Sequence, residues 1–140
     1  MLQIHPLLDE LIAAGRWPRN AREAIAQNLK PLAAPERVRN LAAEEKTIYL
    51  LPPPFYTVRE RSVREDFWSW PQSDPSGIDF DLALVIGDFG LGSDAPILLD
   101  YRGDMGNPRV IRLRWPDDGS SNHWVVMAHD FASFVESLGL

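Results

Sequence analysis

The sequence predicts an α+β domain in which a single, mainly antiparallel sheet is flanked by N-terminal helices and by a C-terminal helix. Three observations predict this class. Apolar residues in the first half recur at helical spacing, the second half contains short apolar runs divided by turn residues, and an apolar helical stripe follows at the end. Because 140 residues is a common size for one domain, we expect residues 1–140 to fold as a unit.

Helical patterns dominate the N-terminal third of the chain. The first helix is predicted between Pro6, which suits a first turn, and Gly15, which suits a helix end. Its apolar residues are Leu7, Leu8, Leu11 and Ile12. A second helix is predicted from Asn20, with Glu23 completing a capping box, and a third helical segment opens at Pro35. The predicted buried face of the second helix consists of Ala21, Ile25 and Leu29.

Short apolar runs predict the strands and their turns. The predicted strands are 47–51, 82–86, 96–101, 109–115 and 124–128. The glycines between the second and third runs predict a tight hairpin in which Gly90 or Gly92 adopts a positive φ. Asp130 is predicted to cap the last helix. The apolar stripe of that helix consists of Phe131, Phe134, Val135 and Leu138.

The run 109–115 shows the clearest alternation of apolar and charged residues. Ile111, Leu113 and Trp115 fall on one side of a predicted strand, whereas Arg112 and Arg114 fall on the other. We therefore expect the three apolar side chains to be buried and the two arginines to be exposed.

The negative charge of the chain is concentrated in one segment. The net charge is −6, and residues 74–104 contain seven aspartates against Arg102 alone. Such an acidic field repels phosphate backbones, which argues against a nucleic-acid partner, and it attracts basic proteins or cations. The alternative is an acidic surface that only keeps the protein in solution.

Composition also limits chemistry and location. The chain has no cysteine, which excludes disulfides, thiolate catalysis and cysteine-ligated zinc and suits a reducing compartment. The first six residues lack the basic stretch and apolar run of a signal peptide, and no run of about 18 apolar residues occurs. We expect a cytoplasmic protein that does not enter a membrane.

Motifs with possible catalytic meaning lack their usual context. Asp88-Phe89-Gly90 spells the magnesium-binding tripeptide of protein kinases, but the other kinase motifs are missing. The glycines of 87–92 resemble a phosphate cradle, yet a strand rather than a helix is predicted to follow them. A hairpin turn is therefore the favoured interpretation.

Neither the carboxylates nor the histidines predict a metal site or a cofactor. The aspartates at 88, 94, 100 and 104 do not have the spacing of a calcium loop, although they leave open a small carboxylate-based hydrolase or ligand-binding domain. The histidines at 5, 123 and 129 match no common metal motif. We expect no catalytic residue, no metal and no cofactor.

Tryptophans supply the other candidate binding residues. Trp115 and Trp124 are expected in the core because they lie on predicted strands. Trp68 and Trp70 lie in a charged, turn-rich region, and the sequence favours neither a core position nor an interface position for them; an exposed tryptophan there would suit an interface. The predicted partner-binding residues are Trp68, Trp70, Asp94, Asp100, Tyr101 and Asp104.

The C-terminal half resembles the SUKH superfamily, and within it the group related to the yeast cell-wall-assembly regulator. The residues that carry the resemblance are the run 86–102 (IGDFGLGSDAPILLDYR), Pro108-Arg109-Val110, Leu113-Arg114-Trp115, Trp124-Val125, and Asp130-Phe131 through Phe134 to a terminal leucine. The match covers about residues 78–140, and Pro52-Pro53-Pro54-Phe55 also resembles a family element. The N-terminal helices match only in being helical.

The resemblance implies the same α+β fold and no catalytic residues. Many bacterial members are immunity proteins that neutralise toxins, often nucleases, whereas fungal members act as regulatory scaffolds. Since a nuclease toxin is typically basic, an acidic inhibitor also makes electrostatic sense. We expect a protein-binding module of the immunity type that blocks a basic partner, with a regulatory scaffold as the alternative; neither the partner nor the oligomeric state follows from the sequence.

Overall fold

The computed structural model describes residues 2–90 and 94–140, and these residues form the predicted α+β fold. Within them lies one five-stranded sheet of order β1-β2-β3-β4-β5, in which every neighbouring pair is antiparallel. The strands are β1 (Tyr49–Leu50), β2 (Ala83–Asp88), β3 (Ile97–Asp100), β4 (Arg109–Arg114) and β5 (His123–Ala128). The C-terminal meander is therefore confirmed.

Helices occupy the predicted ends of the chain and one further position. The α-helices are α1 (Pro6–Ala13), α2 (Ala21–Ala26), α3 (Pro35–Leu41), α4 (Val58–Ser62) and α5 (Phe131–Leu138). Short 3₁₀ turns at Asp66–Ser69, Pro71–Ser73 and Pro75–Gly77 follow α4, and we call residues 66–77 the 3₁₀ segment. In the described parts of the chain, no helix has the length and apolarity that crossing a bilayer requires.

The predicted helix caps of α2 and α5 are present. The side chain of Asn20 accepts a hydrogen bond from the amide of Glu23 at 3.0 Å, and Asp130 accepts one from the amide of Ser133 at 2.8 Å. The carboxylate of Glu23 binds Arg19 rather than closing a capping box.

Both faces of the sheet are covered, which gives the molecule two apolar layers. The larger layer packs α1, α3 and α5 against one face, and it includes the buried stripe of α5 predicted from the sequence. The smaller layer packs α4 and the 3₁₀ segment against the other face, with Val58, Trp68 and Ile78 buried against Val85 and Leu98. This second layer holds the candidate site.

The predicted buried face of α2 is wrong. The side chains of Ile25 and Leu29 are 59% and 94% exposed, and Ala21 is also exposed, whereas Ala24 and Gln27 are buried. The helix ends at Ala26, so the 3.6-residue periodicity does not continue to Leu29. Gln27 turns inward because its amide group hydrogen-bonds the backbone of β1.

The alternation predicted for β4 is only partly correct. Ile111 and Leu113 are buried and Arg114 is exposed, as expected, but Trp115 is 46% exposed and Arg112 only 6% exposed. Trp115 lies one residue beyond the end of β4. Arg112 is buried because the sheet is covered on both faces; its guanidinium lies 5.6 Å from the ring centre of Phe89 and pairs with Glu44.

The hairpin between β2 and β3 forms where it was predicted. Gly90 has a φ of 111°, which confirms the expected positive angle. Gly92 lies outside the described residues. Asp94, on the other side of the turn, also adopts a left-handed conformation, with a φ of 55°.

Candidate partner-binding site

The six predicted partner-binding residues divide into two groups by exposure. Trp70, Asp94 and Asp104 are exposed. Trp68, Asp100 and Tyr101 are 3%, 2% and 1% exposed, so their side chains are not on the surface that a partner would meet. The prediction that these residues bind a partner can therefore apply only to the first group in this structure.

Trp68 belongs to the smaller apolar layer. Its ring lies parallel to that of Trp124, with an interplanar angle of 7° and 6.4 Å between ring centres. Its indole nitrogen donates a hydrogen bond to Glu65 at 2.9 Å. The indole of Trp124 donates to the carbonyl groups of Ser73 and Asp74 at 3.0 Å, so the two tryptophans attach the 3₁₀ segment to the sheet.

Asp100 is a structural ion-pair centre. Its carboxylate accepts hydrogen bonds from Arg102 at 2.9 Å and from Arg109 at 2.8 Å. Burial acts to raise the pKa of Asp100, but the hydrogen bonds from Arg102 and Arg109 outweigh burial and hold this pKa below its usual value. The charged form is thus the stable one, and it joins β3 to the start of β4.

Tyr101 anchors the N-terminal segment. Its hydroxyl group donates a hydrogen bond to the carbonyl oxygen of Gln3 at 2.8 Å. Burial raises the pKa of Tyr101 to about 12. The neutral phenol is therefore strongly favoured, and its role is structural.

Folding neutralises part of the acidic segment. Asp81 pairs with Arg59 from α4 at 3.1 Å, and Asp100 pairs with two arginines as described. Asp104 accepts hydrogen bonds from the amides of Gly106 and Asn107, yet its carboxylate stays exposed. The charge that the sequence places in one run is therefore weaker on the folded surface than counting aspartates suggests.

A cleft of about 420 Å³ lies between the 3₁₀ segment and the β2–β3 hairpin. Trp70, which is 47% exposed, forms part of its wall. The residues that line this cleft are Leu51, Arg61, Glu65, Asp66, Phe67, Trp68, Trp70, Val85, Gly87, Asp88, Asp94 and Pro96. The cleft thus combines an aromatic wall with several carboxylates.

A second exposed tryptophan adjoins this cleft. The indole nitrogen of Trp115 donates a hydrogen bond to the backbone carbonyl of Asp94 at 2.9 Å, and Asp94 itself lines the cleft. Trp115 also borders a shallow depression of about 250 Å³ together with Pro71 and Gln72, which directly follow Trp70. Trp70 and Trp115 therefore belong to one continuous surface.

The same surface extends in the other direction over α4. A depression of about 490 Å³ contains Tyr56 and Val63 and shares Arg61 and Glu65 with the cleft. Tyr56 and Val63 are among the large apolar side chains that the described residues leave exposed. We call the surface formed by Tyr56, Val63, Phe67, Trp70, Asp94 and Trp115 the tryptophan face.

Sequence reasoning missed four members of this face, namely Tyr56, Val63, Phe67 and Trp115. Trp115 was assigned to the core because the strand was expected to reach residue 115. Val63 directly follows α4 in a highly charged stretch, and this charge density could have identified it as exposed. Tyr56 follows Pro54 and Phe55 without any periodic pattern that would indicate its exposure.

Groups that could support metal chemistry do not converge in the described part of the chain. No cluster of three or more histidine and carboxylate side chains there is arranged to hold a metal ion. His5 caps α1 instead, since its Nδ1 accepts a hydrogen bond from the amide of Leu7 at 3.1 Å. The site is thus described best by its aromatic and acidic surface.

Comparison with protein-family models, with curated proteins and with solved structures finds no match for this chain. The SUKH-like resemblance of the C-terminal half therefore stays a prediction, and the function has to be argued from the tryptophan face.

Proposed function

We propose that this chain is a non-catalytic, cytoplasmic protein-binding module of the immunity type, which covers a basic toxin domain with its tryptophan face. The bound module would sterically block the toxin domain, so that the toxin's substrate could no longer reach it. The acidic residues of the face and of the cleft beside it would orient the partner and speed the encounter rather than perform chemistry.

The observation that carries this proposal is the exposure of Trp70 and Trp115 on one surface. Large aromatic side chains are more often buried in a core, and contiguous exposed apolar surface commonly marks an interaction site. Tryptophan is also enriched among the residues that dominate binding energy. Two exposed indoles, one bonded to Asp94 and one lining the same cleft as Asp94, therefore suit an interface better than a solvent-facing surface.

The support beneath these tryptophans suits binding without rearrangement. The ring of Phe67 meets that of Trp70 edge-to-face, with 6.0 Å between centres and an interplanar angle of 68°. Trp115 is fixed by its hydrogen bond to Asp94. Side chains that are already ordered lose less conformational entropy on binding, which raises affinity.

The charge of the cleft beside Trp70 supports a basic partner. Glu65, Asp66 and Asp94 lie along the cleft, and the only arginine that lines this cleft in the described residues, Arg61, is paired with Glu65 at 2.9 Å. The SUKH-like resemblance supports a toxin as the partner. A regulatory scaffold would use the same face on a different protein.

The test is protection of cells that express a basic nuclease toxin, the first candidate being any such toxin encoded next to this chain, together with calorimetry on the purified pair. The informative variant replaces both Trp70 and Trp115 by alanine. Loss of one such anchor typically costs about 2 kcal/mol or more, which is about thirtyfold in Kd. We expect the double variant to fold but to lose protection.

The matched control replaces Ile25 and Leu29 by alanine, because both are exposed apolar residues that do not line the tryptophan face. We expect the control to protect as well as the parent protein does. Equal loss of protection in both double variants would refute a role for the tryptophan face.

A further inference from the structure

The cleft beside Trp70 has an excess of carboxylates over cations. Within the described part of the chain, four carboxylates line it, from Glu65, Asp66, Asp88 and Asp94, against the single guanidinium of Arg61. Its floor is apolar, formed in part by Val85 and Pro96. An apolar cavity with this charge balance disfavours an anionic or purely apolar occupant and favours a cationic side chain with an apolar stem.

Two of the four carboxylates are already engaged. Glu65 accepts hydrogen bonds from Arg61 at 2.9 Å and from the indole of Trp68 at 2.9 Å. Asp88 accepts one from the amide of Ala95 at 3.2 Å, within the hairpin. These contacts fix the walls of the cleft and neutralise Arg61, so the arginine does not repel a second cation strongly.

The other two carboxylates are available. Among residues 2–90 and 94–140, no side chain or amide is hydrogen-bonded or ion-paired to the carboxylates of Asp66 and Asp94, and both residues are exposed. The half-exposed ring of Trp70 lies in the same cleft. A cation placed there would therefore meet an aromatic ring and two unpaired carboxylates.

We propose that this cleft holds the side chain of one arginine of the basic partner, an inference that rests on the proposed function and names the chemistry of its anchor. The methylene groups of the arginine lie on the apolar floor, its guanidinium lies against the ring of Trp70, and Asp66 and Asp94 accept its N–H groups. A planar guanidinium stacks on an aromatic ring and reaches two acceptors at once.

Lysine fits this cleft less well. An ammonium group is compact and strongly hydrated, and it cannot present a flat surface to the indole. The edge-to-face contact between Phe67 and Trp70 holds the indole in place for stacking. The cleft therefore selects arginine over lysine, and a neutral side chain of the same shape should not bind.

The experiment is an NMR titration of the full-length protein, labelled with ¹⁵N at the tryptophan indoles, with three blocked tripeptides. The tripeptides are acetyl-Gly-Xaa-Gly-amide with arginine, lysine or citrulline in the centre. Citrulline keeps the planar shape of arginine without its charge. For a single side chain we expect a Kd in the millimolar range, which the titration can follow.

We expect the arginine peptide to shift the indole signal of Trp70 in a saturable way, at least threefold more tightly than the lysine peptide. The signal of Trp17 should not move, since Trp17 is buried in the larger layer and its indole is bonded to the carbonyl of Leu51. Equal affinities for arginine and lysine, or any comparable shift with citrulline, would overturn the assignment.

A charge-matched pair of variants localises the effect. Replacing Asp66 and Asp94 by asparagine should weaken binding of the arginine peptide about fivefold. Replacing Asp9 by asparagine and Glu36 by glutamine removes the same net charge from exposed positions on α1 and α3, and should leave the affinity unchanged. Equal weakening in both pairs would mean general attraction and would overturn the cleft assignment.

The outcomes of the two experiments distinguish failure of the cleft assignment alone from failure of the proposed function. If the Trp70 and Trp115 double variant loses protection but the peptides do not shift Trp70, the module binds a protein without an arginine in this cleft. If the arginine peptide binds but the double variant still protects, the partner does not use the tryptophan face, and both proposals fall.

Discussion

The side-chain amide of Gln27 pairs with the backbone of Leu50 in both directions. Its Nε2 donates to the carbonyl of Leu50 at 2.8 Å, and its Oε1 accepts from the amide of Leu50 at 2.9 Å. This is the bonding pattern that a neighbouring strand would supply. Gln27 therefore satisfies the backbone groups of Leu50 on the outer edge of β1. The indole nitrogen of Trp17 likewise donates a hydrogen bond to the carbonyl of Leu51 at 2.8 Å.

Replacing Gln27 by alanine should therefore destabilise the fold. The change leaves the buried amide and carbonyl of Leu50 without partners, and an unsatisfied buried polar group costs about 1–3 kcal/mol. We expect the free energy of unfolding in urea to fall by about 2 kcal/mol or more. The control, Leu29→Ala, changes a side chain that is almost fully exposed and should alter it by less than about 0.5 kcal/mol.

Leu113 and Trp115 provide a second comparison of stability. Both were expected in the core, but only Leu113 is buried there. Leu113→Ala should lower the free energy of unfolding by about 2–5 kcal/mol, whereas Trp115→Ala should cost less than about 1 kcal/mol and affect binding instead. Equal losses in chemical denaturation would show that Trp115 is a core residue after all.

Much of the fold follows from local patterns, and α5 shows why. Its cap and its apolar stripe both indicate the same helix, and the structure places each of them accordingly. The strands behave similarly, because short apolar runs between turn residues have few alternatives. The hairpin glycine at 90 follows from the same local argument.

The wrong predictions concern residues whose burial depends on a contact with a residue distant in sequence. Gln27 is buried because Leu50 needs a partner, which no pattern within α2 reveals. Arg112 is buried because both faces of the sheet are covered, and its partner Glu44 comes from a distant part of the sequence. The sequence suggests that Asp100 is a surface charge, whereas in the structure it is buried and paired with Arg102 and Arg109. The candidate site was thus only half predictable, since exposure depends on these long-range contacts.

The ion pairs of Asp100 predict a dependence of stability on acid pH. The pKa of Asp100 is lower in the folded state than its unfolded value of about 3.9, so its contribution is complete above that value and is lost as pH falls through the folded pKa. Asp100→Asn should reduce stability at pH 7 and flatten its decline below about pH 4. Identical slopes for the two proteins in urea denaturation would contradict this role.

The raised pKa of Tyr101 predicts that the stability of the fold falls at alkaline pH. Its pKa is raised by burial to about 12, above the ordinary value of about 10, so its contribution is complete below pH 10 and is lost as pH rises through about 12. Absorbance titration should show one tyrosine ionising late, together with alkaline unfolding. Tyr101→Phe should remove the late component, and a late component that persists would assign it to another tyrosine.

The exposed aspartates should govern how fast a basic partner associates. Asp94 and Asp104 keep exposed carboxylates, whereas Asp100 is buried and paired, so only the first two can act through the solvent. Replacing Asp94 and Asp104 by asparagine keeps their shape, tolerates the left-handed backbone of Asp94, and retains an acceptor for the turn at Asp104.

For this double variant, we expect the rate of association with the basic partner, measured by stopped flow, to fall about two- to fivefold, because long-range attraction between charges speeds the encounter. The rate should also depend less on salt concentration, because ions screen that attraction. Replacing Asp9 and Glu36 by their amides removes the same charge from α1 and α3 and should slow association less. An unchanged association rate for the Asp94 and Asp104 variant would leave these aspartates with a role in solubility alone, and contacts at the tryptophan face would then have to account for the whole affinity.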